Sequence, residues 1–264
     1  MQQADDFVAE SEALHGALAP LDDAAFLTVT QFKDWTIDDV VRHLHFFNEM
    51  TDLALLDPLA FAARYEMFEA GRKADGTMTG ITGRLLRGLS GQRLLAAWRE
   101  RYLEMGPRWR DADPKARVRW VGPDMSVRSS ITARQMETWA HGQEVVDALG
   151  VERENGDRIR NIAHLGVQTY GWTFLNRGET APGPAPYVRL TAPSGAIWEW
   201  GAPSEDERVA GPAVDFAQVV TQVRNVADVD LAVTGPNATR WMAVAQCFAG
   251  PPVDPPPPGT RFRA

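Results

Sequence analysis

Hydrophobic residues recur every three or four positions along the first two thirds of the chain, which is the spacing of one face of an α-helix. The pattern predicts helices over residues 7–18, 36–56, 59–72, 91–110 and 157–176, and one that begins at Ser126 or Ser130 and ends at Leu149. Residues 75–90 are rich in Gly and Thr, and residues 118–127 contain a Gly-Pro pair. Both segments are therefore expected to contain loops.

The helix that begins near Thr36 has clear sequence signals at both ends. Thr36 is predicted to cap it, and Asp39 holds the position that completes a capping box. Pro58 marks its end, because proline cannot donate the hydrogen bond that a continuing helix needs. This helix carries His43 and His45, two of the five histidines of the chain.

The pattern changes after Gly178, where prolines at 182, 184 and 186 predict a linker. Two short segments with β-branched and aromatic residues then flank a Pro-Ser-Gly turn and predict a hairpin. The predicted elements are strands over 187–191 and 196–200, near Val209 and over 229–233, and helices over 216–226 and 238–248.

These elements predict a mainly α protein in three parts. Residues 1–178 form a helical domain, and residues 179–250 form a small α+β domain. Residues 251–264 form a Pro-rich tail, which is expected to be extended polyproline or disordered.

Composition and charge exclude several classes of function. The 264 residues are 44% hydrophobic and 23% charged, with a formal net charge of −8. An acidic chain of this kind is not typical of proteins that bind nucleic acids or anionic membranes. Neither a signal peptide nor a membrane-spanning segment is predicted. We expect a cytoplasmic protein, monomer or homodimer, that acts on a small-molecule substrate.

Cys247 is the single cysteine, so the chain cannot build an intrachain disulfide or a cysteine-based zinc site. It lies in an apolar segment and is predicted to be a buried structural thiol. The sequence has no glycine-rich phosphate loop and no GxSxG motif of a serine nucleophile.

Glu137 and His141 are the strongest candidates for chemistry. They are four residues apart on a predicted helix, so both side chains lie on one face. With a third ligand from a facing helix they can hold a metal ion and leave positions open for water or substrate. The alternative is a surface pair worth a few tenths of a kcal/mol. Periodicity does not choose between His43 and His45 as third ligand, and His45 can instead pair with Glu49.

Two segments resemble motifs of a known superfamily. Residues 35–44 are similar to the motif that supplies the first histidine ligand in the mycothiol-dependent maleylpyruvate isomerase and DinB-like superfamily. Residues 136–150 resemble its second motif, in which Glu and His four apart complete the metal site. Residues 120–123, 234–236 and 245–252 are similar to an actinobacterial group of uncharacterised metal-binding proteins within it.

The resemblance implies a DinB-like, up-and-down four-helix bundle followed by a small α+β domain. It implies that His43, Glu137 and His141 bind a divalent metal, Zn²⁺ foremost, with Ni²⁺, Fe²⁺ or Mn²⁺ as alternatives. Members of known activity use mycothiol, bacillithiol or glutathione. The expected function is a metal-dependent, mycothiol-dependent isomerase or transferase acting on a small electrophilic or acidic metabolite.

Two arginines are candidate contacts for an acidic substrate. Arg134 precedes Glu137 by one helical turn, and it can alternatively orient Glu137. Arg224 is the candidate from the second domain, where its alternative is a surface helix residue. Two other functions stay open at this point: a hydrolase or lyase that uses metal-bound water, and a non-catalytic metal-binding stress or small-molecule-binding protein.

Overall fold

The computed structural model describes residues 1–74, 76–122 and 124–262, and the chain divides into two compact units, Met1–Val151 and Glu152–Ala264. The helices of the first unit are α1 (Gln2–Leu18), α2 (Ile37–Leu56), α3 (Pro58–Lys73), α4 (Met78–Leu85), α5 (Gly91–Asp111) and α6 (Val127–Ala148). Helices α1 and α2 each pack against both α5 and α6, and α3 and α4 pack on α2. The predicted four-helix bundle is therefore present.

Contacts between α2 and α5 fix the direction of these two helices. Near their N-termini, the Asp38 carboxylate accepts a hydrogen bond from the Gly91 amide at 2.7 Å. Near their C-termini, the buried Asp52 carboxylate binds Arg108 at 2.5 Å and accepts a bond from the Trp109 indole at 3.2 Å. Helices α2 and α5 thus run in the same direction, because α3 and α4 return the chain between them. The bundle is confirmed, but the predicted up-and-down order is wrong at this pair, because successive bundle helices do not alternate in direction here.

The N-terminus of α2 has the predicted capping box. The Thr36 hydroxyl accepts a hydrogen bond from the Asp39 amide, and the Asp39 carboxylate accepts one from the Thr36 amide, both at 3.1 Å. The helix ends at Leu56, before Pro58, as predicted. Asp57 then accepts bonds from the first amides of α3.

The two predicted loops of this unit contain short regular elements. Residues 75–90 include α4, while Asp75 itself lies outside the described residues. Residues 118–127 overlap an antiparallel pair, β1 (Arg117–Val118) and β2 (Met125–Ser126), and Pro123 lies outside the described residues. Ser126, rather than Ser130, caps α6 by accepting a bond from the Ser129 amide.

The second unit contains a four-stranded mixed sheet with short helices. Its elements are α7 (Arg160–Gln168), α8 (Tyr170–Asn176), β3 (Tyr187–Thr191), β4 (Ile197–Trp200), β5 (Arg208–Pro212), α9 (Ala213–Val220), β6 (Ala232–Thr234) and α10 (Pro236–Met242). The strand order is β4-β3-β5-β6, with β3 and β5 parallel and the other neighbours antiparallel. The predicted hairpin and the small α+β architecture are confirmed.

Helix lengths in the second unit differ from the predictions. The helix predicted over 157–176 is a short 3-10 turn followed by α7 and α8, which are separated at Thr169. The Thr169 hydroxyl bonds to the carbonyl oxygens of Leu165 and Gly166, at the end of α7. The helix predicted over 216–226 ends at Val220, and Gln222 adopts a positive φ of 58°. The helix predicted over 238–248 ends at Met242.

The boundary between the units lies after Val151, whereas the sequence predicted a boundary after Gly178. The difference has a packing cause: α7 contacts α9 and therefore belongs with the sheet. The prolines at 182–186 mark the change from helix to strand within the second unit, and they do not separate two units.

The Pro-rich segment after Gly250 lacks helix and strand over its described residues but is held on the second unit. Gln222 donates to the Val253 carbonyl at 2.8 Å, and Asn225 donates to the buried Pro256 at 2.8 Å. The Gly259 amide bonds to the Asp228 carboxylate at 2.9 Å. Of the two expectations for this segment, extended or disordered, these contacts favour an ordered segment without helix or strand over residues 251–262. None of the described helices is long and apolar enough to cross a membrane.

The capping box gives the first testable prediction. Thr36→Ala removes the hydrogen bond to the Asp39 amide and should lower the free energy of unfolding by about 1 kcal/mol. Ser90→Ala is the matched control, because Ser90 precedes α5 without a side-chain capping bond. Urea unfolding followed by circular dichroism measures both. Equal losses in the two variants would contradict the role of the Thr36 cap.

Candidate metal centre

Three residues from two packed helices meet in the first unit. His43 lies on the second turn of α2, and Glu137 and His141 lie one turn apart on α6. The Glu137 Oε2 atom is 3.4 Å from His43 Nε2 and 3.4 Å from His141 Nε2. One ligand atom from each of the three residues lies within 4.8 Å of the others. The structure therefore brings together the three residues that the sequence selected.

Two of the three ligand-atom separations in the cluster match those expected around a metal ion. Unstrained N–H···O bonds measure about 2.7–3.2 Å, shorter than the two 3.4 Å separations. Ligands placed about 2.0–2.2 Å from a tetrahedral zinc ion lie about 3.3–3.5 Å from one another. Two imidazole nitrogens and a carboxylate oxygen also form a donor set of the kind found at catalytic zinc. The residues present thus fit a divalent metal.

Aromatic rings surround the two histidines. The Trp35 ring stacks on His141 with centroids 5.7 Å apart and planes 15° apart, and the Phe32 ring meets His141 edge-on at 5.0 Å. The Phe47 ring lies 4.7 Å from His43. The histidines are about one tenth exposed, whereas a quarter of the Glu137 side chain is exposed. Solvent therefore reaches the cluster on the side of Glu137.

A tight turn before α2 places two of these rings. The Trp35 amide donates to the Phe32 carbonyl at 2.9 Å, and the two residues between them, Lys33 and Asp34, have φ values of 51° and 57°. Left-handed backbone at two successive non-glycine residues is strained. The Val29–Thr36 bridge closes the loop behind the turn. This strained turn places the Phe32 and Trp35 rings against His141.

The three side chains differ in their proton affinity. Burial, opposed by the contact with Glu137, lowers the pKa of His43 to about 4. Burial also acts to lower the pKa of His141, but its contacts with Glu137 and Glu144 outweigh that effect and raise it to about 9. Burial acts to raise the pKa of Glu137, and the two histidines hold it well below its usual value. Without metal, the positive charge of protonated His141 offsets the negative charge of Glu137, and metal binding must displace that proton.

His45 lies outside this cluster. It is buried, and burial together with the charges of Arg101 and Arg64 lowers its pKa to about 4. Glu49, its alternative partner in the sequence analysis, pairs instead with Arg64 at 2.8 Å. Of the two histidines on α2, the geometry selects His43.

The two candidate arginines lie in different units. Arg134 is buried on α6, and its Nε donates to the Asn48 side-chain oxygen on α2 at 3.2 Å. Its positive charge helps to lower the pKa of Glu137. Arg224 belongs to the second unit, where it follows α9 in a turn and is buried, with Nη1 donating to the Val223 carbonyl at 3.2 Å. The alternative of a surface helix residue does not describe Arg224.

Glu144 is a residue of the site that the sequence analysis missed. Its Oε2 atom lies 3.7 Å from His141 Nδ1, and its side chain is buried. At this distance Glu144 acts on His141 through its charge, which lies on the Nδ1 side of the ring and leaves Nε2 toward Glu137. The signal was available: Glu144 follows His141 by three residues and therefore lies on the same face of α6.

The other two histidines, His15 and His164, do not belong to the cluster. His15 lies on α1, where its pKa is lowered by burial and by Arg99. His164 lies on α7 in the second unit and accepts a hydrogen bond from the Trp200 indole at 3.2 Å. Both lie on helices.

Comparison with known proteins identifies relatives of the whole chain and of its first unit. The family model of the mycothiol maleylpyruvate isomerase N-terminal domain matches residues 7–146. Two uncharacterized proteins of Mycobacterium tuberculosis are each 36% identical over 247 residues, covering 94% of this chain and 95% of theirs.

Solved structures show a similar fold. Crystal structures of the mycothiol-dependent maleylpyruvate isomerase and of a histidine-to-alanine mutant align with a TM-score of 0.52 and 14% identity. Each alignment covers 83% of this chain and 87% of the other. This likeness concerns the fold.

The triad predicts a metal content that depends on named residues. After zinc loading and dialysis, the wild type should hold one zinc per chain. His43→Ala and His141→Ala should each retain less than about 0.1 zinc per chain, because the two remaining ligands do not hold zinc against dialysis. His45→Gln and His15→Ala, both outside the cluster, should keep the wild-type value. Elemental analysis of folded protein measures this, and full retention in His141→Ala would refute the triad.

Proposed function

The chain belongs to the mycothiol maleylpyruvate isomerase N-terminal domain family, and from this we propose a metal-dependent enzyme that uses mycothiol as a thiol co-substrate. The proposed reaction is isomerisation of a small electrophilic metabolite, or transfer of the thiol to it. One observation carries the proposal: two histidines and a glutamate from two helices meet at the spacing of metal ligands.

Zinc is the metal that we propose for this site. A set of two imidazoles and one carboxylate is common at catalytic zinc, and three protein ligands leave a coordination position for a co-substrate. Nickel, iron(II) and manganese accept the same donors, and the geometry of the three side chains does not distinguish them.

A divalent metal held by the triad supplies a positive charge that keeps a thiol deprotonated at neutral pH. The residues of the chain prepare this site in complementary ways. His43, whose pKa is about 4, is neutral at pH 7, so that its ring nitrogen is free to bind. Glu137 stays ionised and offsets part of the metal charge. The carboxylate of Glu144 lies 3.7 Å from Nδ1 of His141, on the side of the ring away from Glu137.

The aromatic rings have a separate role in the proposal. Phe32, Trp35 and Phe47 cover the histidines and limit the access of water. Charge interactions are stronger in such a low-dielectric environment than in water. A thiolate bound there is shielded on the histidine side, and the exposed side of Glu137 is the route by which thiol and substrate enter.

Titration of the zinc-loaded protein with mycothiol tests the proposal. We expect a dissociation constant below roughly 1 mM. Binding should release close to one proton per thiol at pH 7, because a free thiol has a pKa of about 8.5 and is mostly protonated at that pH. Isothermal titration calorimetry in buffers of different ionisation enthalpy counts that proton.

Two controls make the outcome specific. S-methyl mycothiol has no ionisable thiol, and His141→Ala lacks one proposed ligand. Both should reduce the binding at least tenfold and abolish proton release. Absence of mycothiol binding at millimolar concentration would refute thiol dependence, and equal binding of the S-methyl compound would show that sulfur is not the contact.

A further inference from the structure

Two buried polar side chains meet between α2 and α6, beside the triad. Arg134 is 2% exposed and Asn48 is fully buried. Arg134 Nε donates to Asn48 Oδ1 at 3.2 Å. Within residues 1–74, 76–122 and 124–262, Arg134 Nη2 and Asn48 Nδ2 are buried and have no hydrogen-bond partner.

The bond between the two residues determines what they can bind. Because the amide oxygen of Asn48 accepts from Arg134, the free nitrogen of that amide can only donate. The free guanidinium nitrogen of Arg134 also can only donate. Two unpaired donors, one of them charged, are complementary to an anion with two acceptor oxygens, and a carboxylate has that form.

Arg134 is a positive charge that lacks a close partner of opposite sign. No carboxylate of the described residues lies within the 4.0 Å of an ion pair with it, although Glu137 is one helical turn away on α6. A buried charge without a partner is strongly unfavourable. A bound anion would remove this penalty.

Arg134 and Asn48 lie close to the triad. The Arg134 guanidinium lies 5.9 Å from the centre of the Phe47 ring, and that ring contacts His43 at 4.7 Å. Glu137, the least buried member of the triad, is three residues after Arg134 on the same helix. A molecule that enters at Glu137 therefore approaches Arg134 one turn away.

We propose that Arg134 and Asn48 form a binding site for a carboxylate group of the substrate, next to the metal centre. This rests on the proposed function and narrows it: the substrate is a carboxylic acid whose electrophilic part faces the triad. Arg134 binds the carboxylate through Nη2, and Asn48 contributes Nδ2. A neutral electrophile would leave both donors unpaired.

Asn48→Asp tests the site with almost no change of shape. The new carboxylate would pair with Arg134 within the protein and occupy the place of the bound anion. We expect a higher melting temperature than the wild type at pH 7 and an affinity for acetate at least tenfold lower. A lower melting temperature together with unchanged acetate affinity would overturn the proposal.

Acetate and acetamide, which are alike in size and differ in charge, are the probes. Ligand-observed NMR titrations at constant ionic strength are made on chelator-treated and on zinc-loaded protein. The wild type should bind acetate in the millimolar range and acetamide at least tenfold more weakly in both states. Equal or undetectable binding of the two probes by the wild type would refute the site.

Arg134→Gln should also lose acetate binding at least tenfold, whereas Arg128→Gln, an exposed arginine on the same helix, should bind normally. Zinc content and mycothiol binding are measured on Asn48→Asp in parallel. Retained zinc and thiol binding with lost acetate binding supports a separate carboxylate site. Failure of thiol binding in the wild type, with acetate binding intact, would refute the thiol co-substrate and leave the carboxylate site standing.

Discussion

The packing of α2 against α6 determines the chemistry of the first unit, because it sets His43 opposite Glu137 and His141. Two ligands four residues apart on one helix have a fixed separation, but the third depends on the rotation and height of the neighbouring helix. Asp38 and Asp52 tie α2 to α5 near its two ends. The capping box at Thr36 begins α2 seven residues before His43. A displacement of α2 relative to α6 would therefore change the distances within the triad directly.

Electrostatics at this interface explains why the cluster favours a metal. Without one, Glu137 is a largely buried anion that must hold a proton on His141, and His43 remains neutral beside them. A divalent ion replaces that proton and uses all three side chains. Glu144 and Arg134 lie outside the triad with opposite charges, one beside His141 and the other one turn before Glu137. The electrostatics of the triad therefore depends on these two neighbouring side chains as well as on its own three residues.

Local signals in the sequence predicted much of the first unit. The capping box at Thr36 and the i, i+4 spacing of Glu137 and His141 follow from helix geometry alone. Helix geometry did not choose between His43 and His45, which are rotated by about 200° from each other around the helix axis. The resemblance implied His43, and the packing of α2 against α6 brings His43 to Glu137 and His141. The turn at Lys33 and Asp34 was equally hidden, because neither residue is a glycine. In the second unit the prolines at 182–186 looked like a boundary, although α7 packs with the later elements.

The most direct test of the account is to locate the metal. Crystals of the zinc-loaded protein, measured on both sides of the zinc absorption edge, give an anomalous difference map that identifies the ion by element. If the triad binds zinc, one zinc peak will lie within about 2.0–2.2 Å of His43 Nε2, His141 Nε2 and a Glu137 carboxylate oxygen. A peak at His15, His45 or His164, or a fully loaded crystal without a peak at the triad, would contradict it.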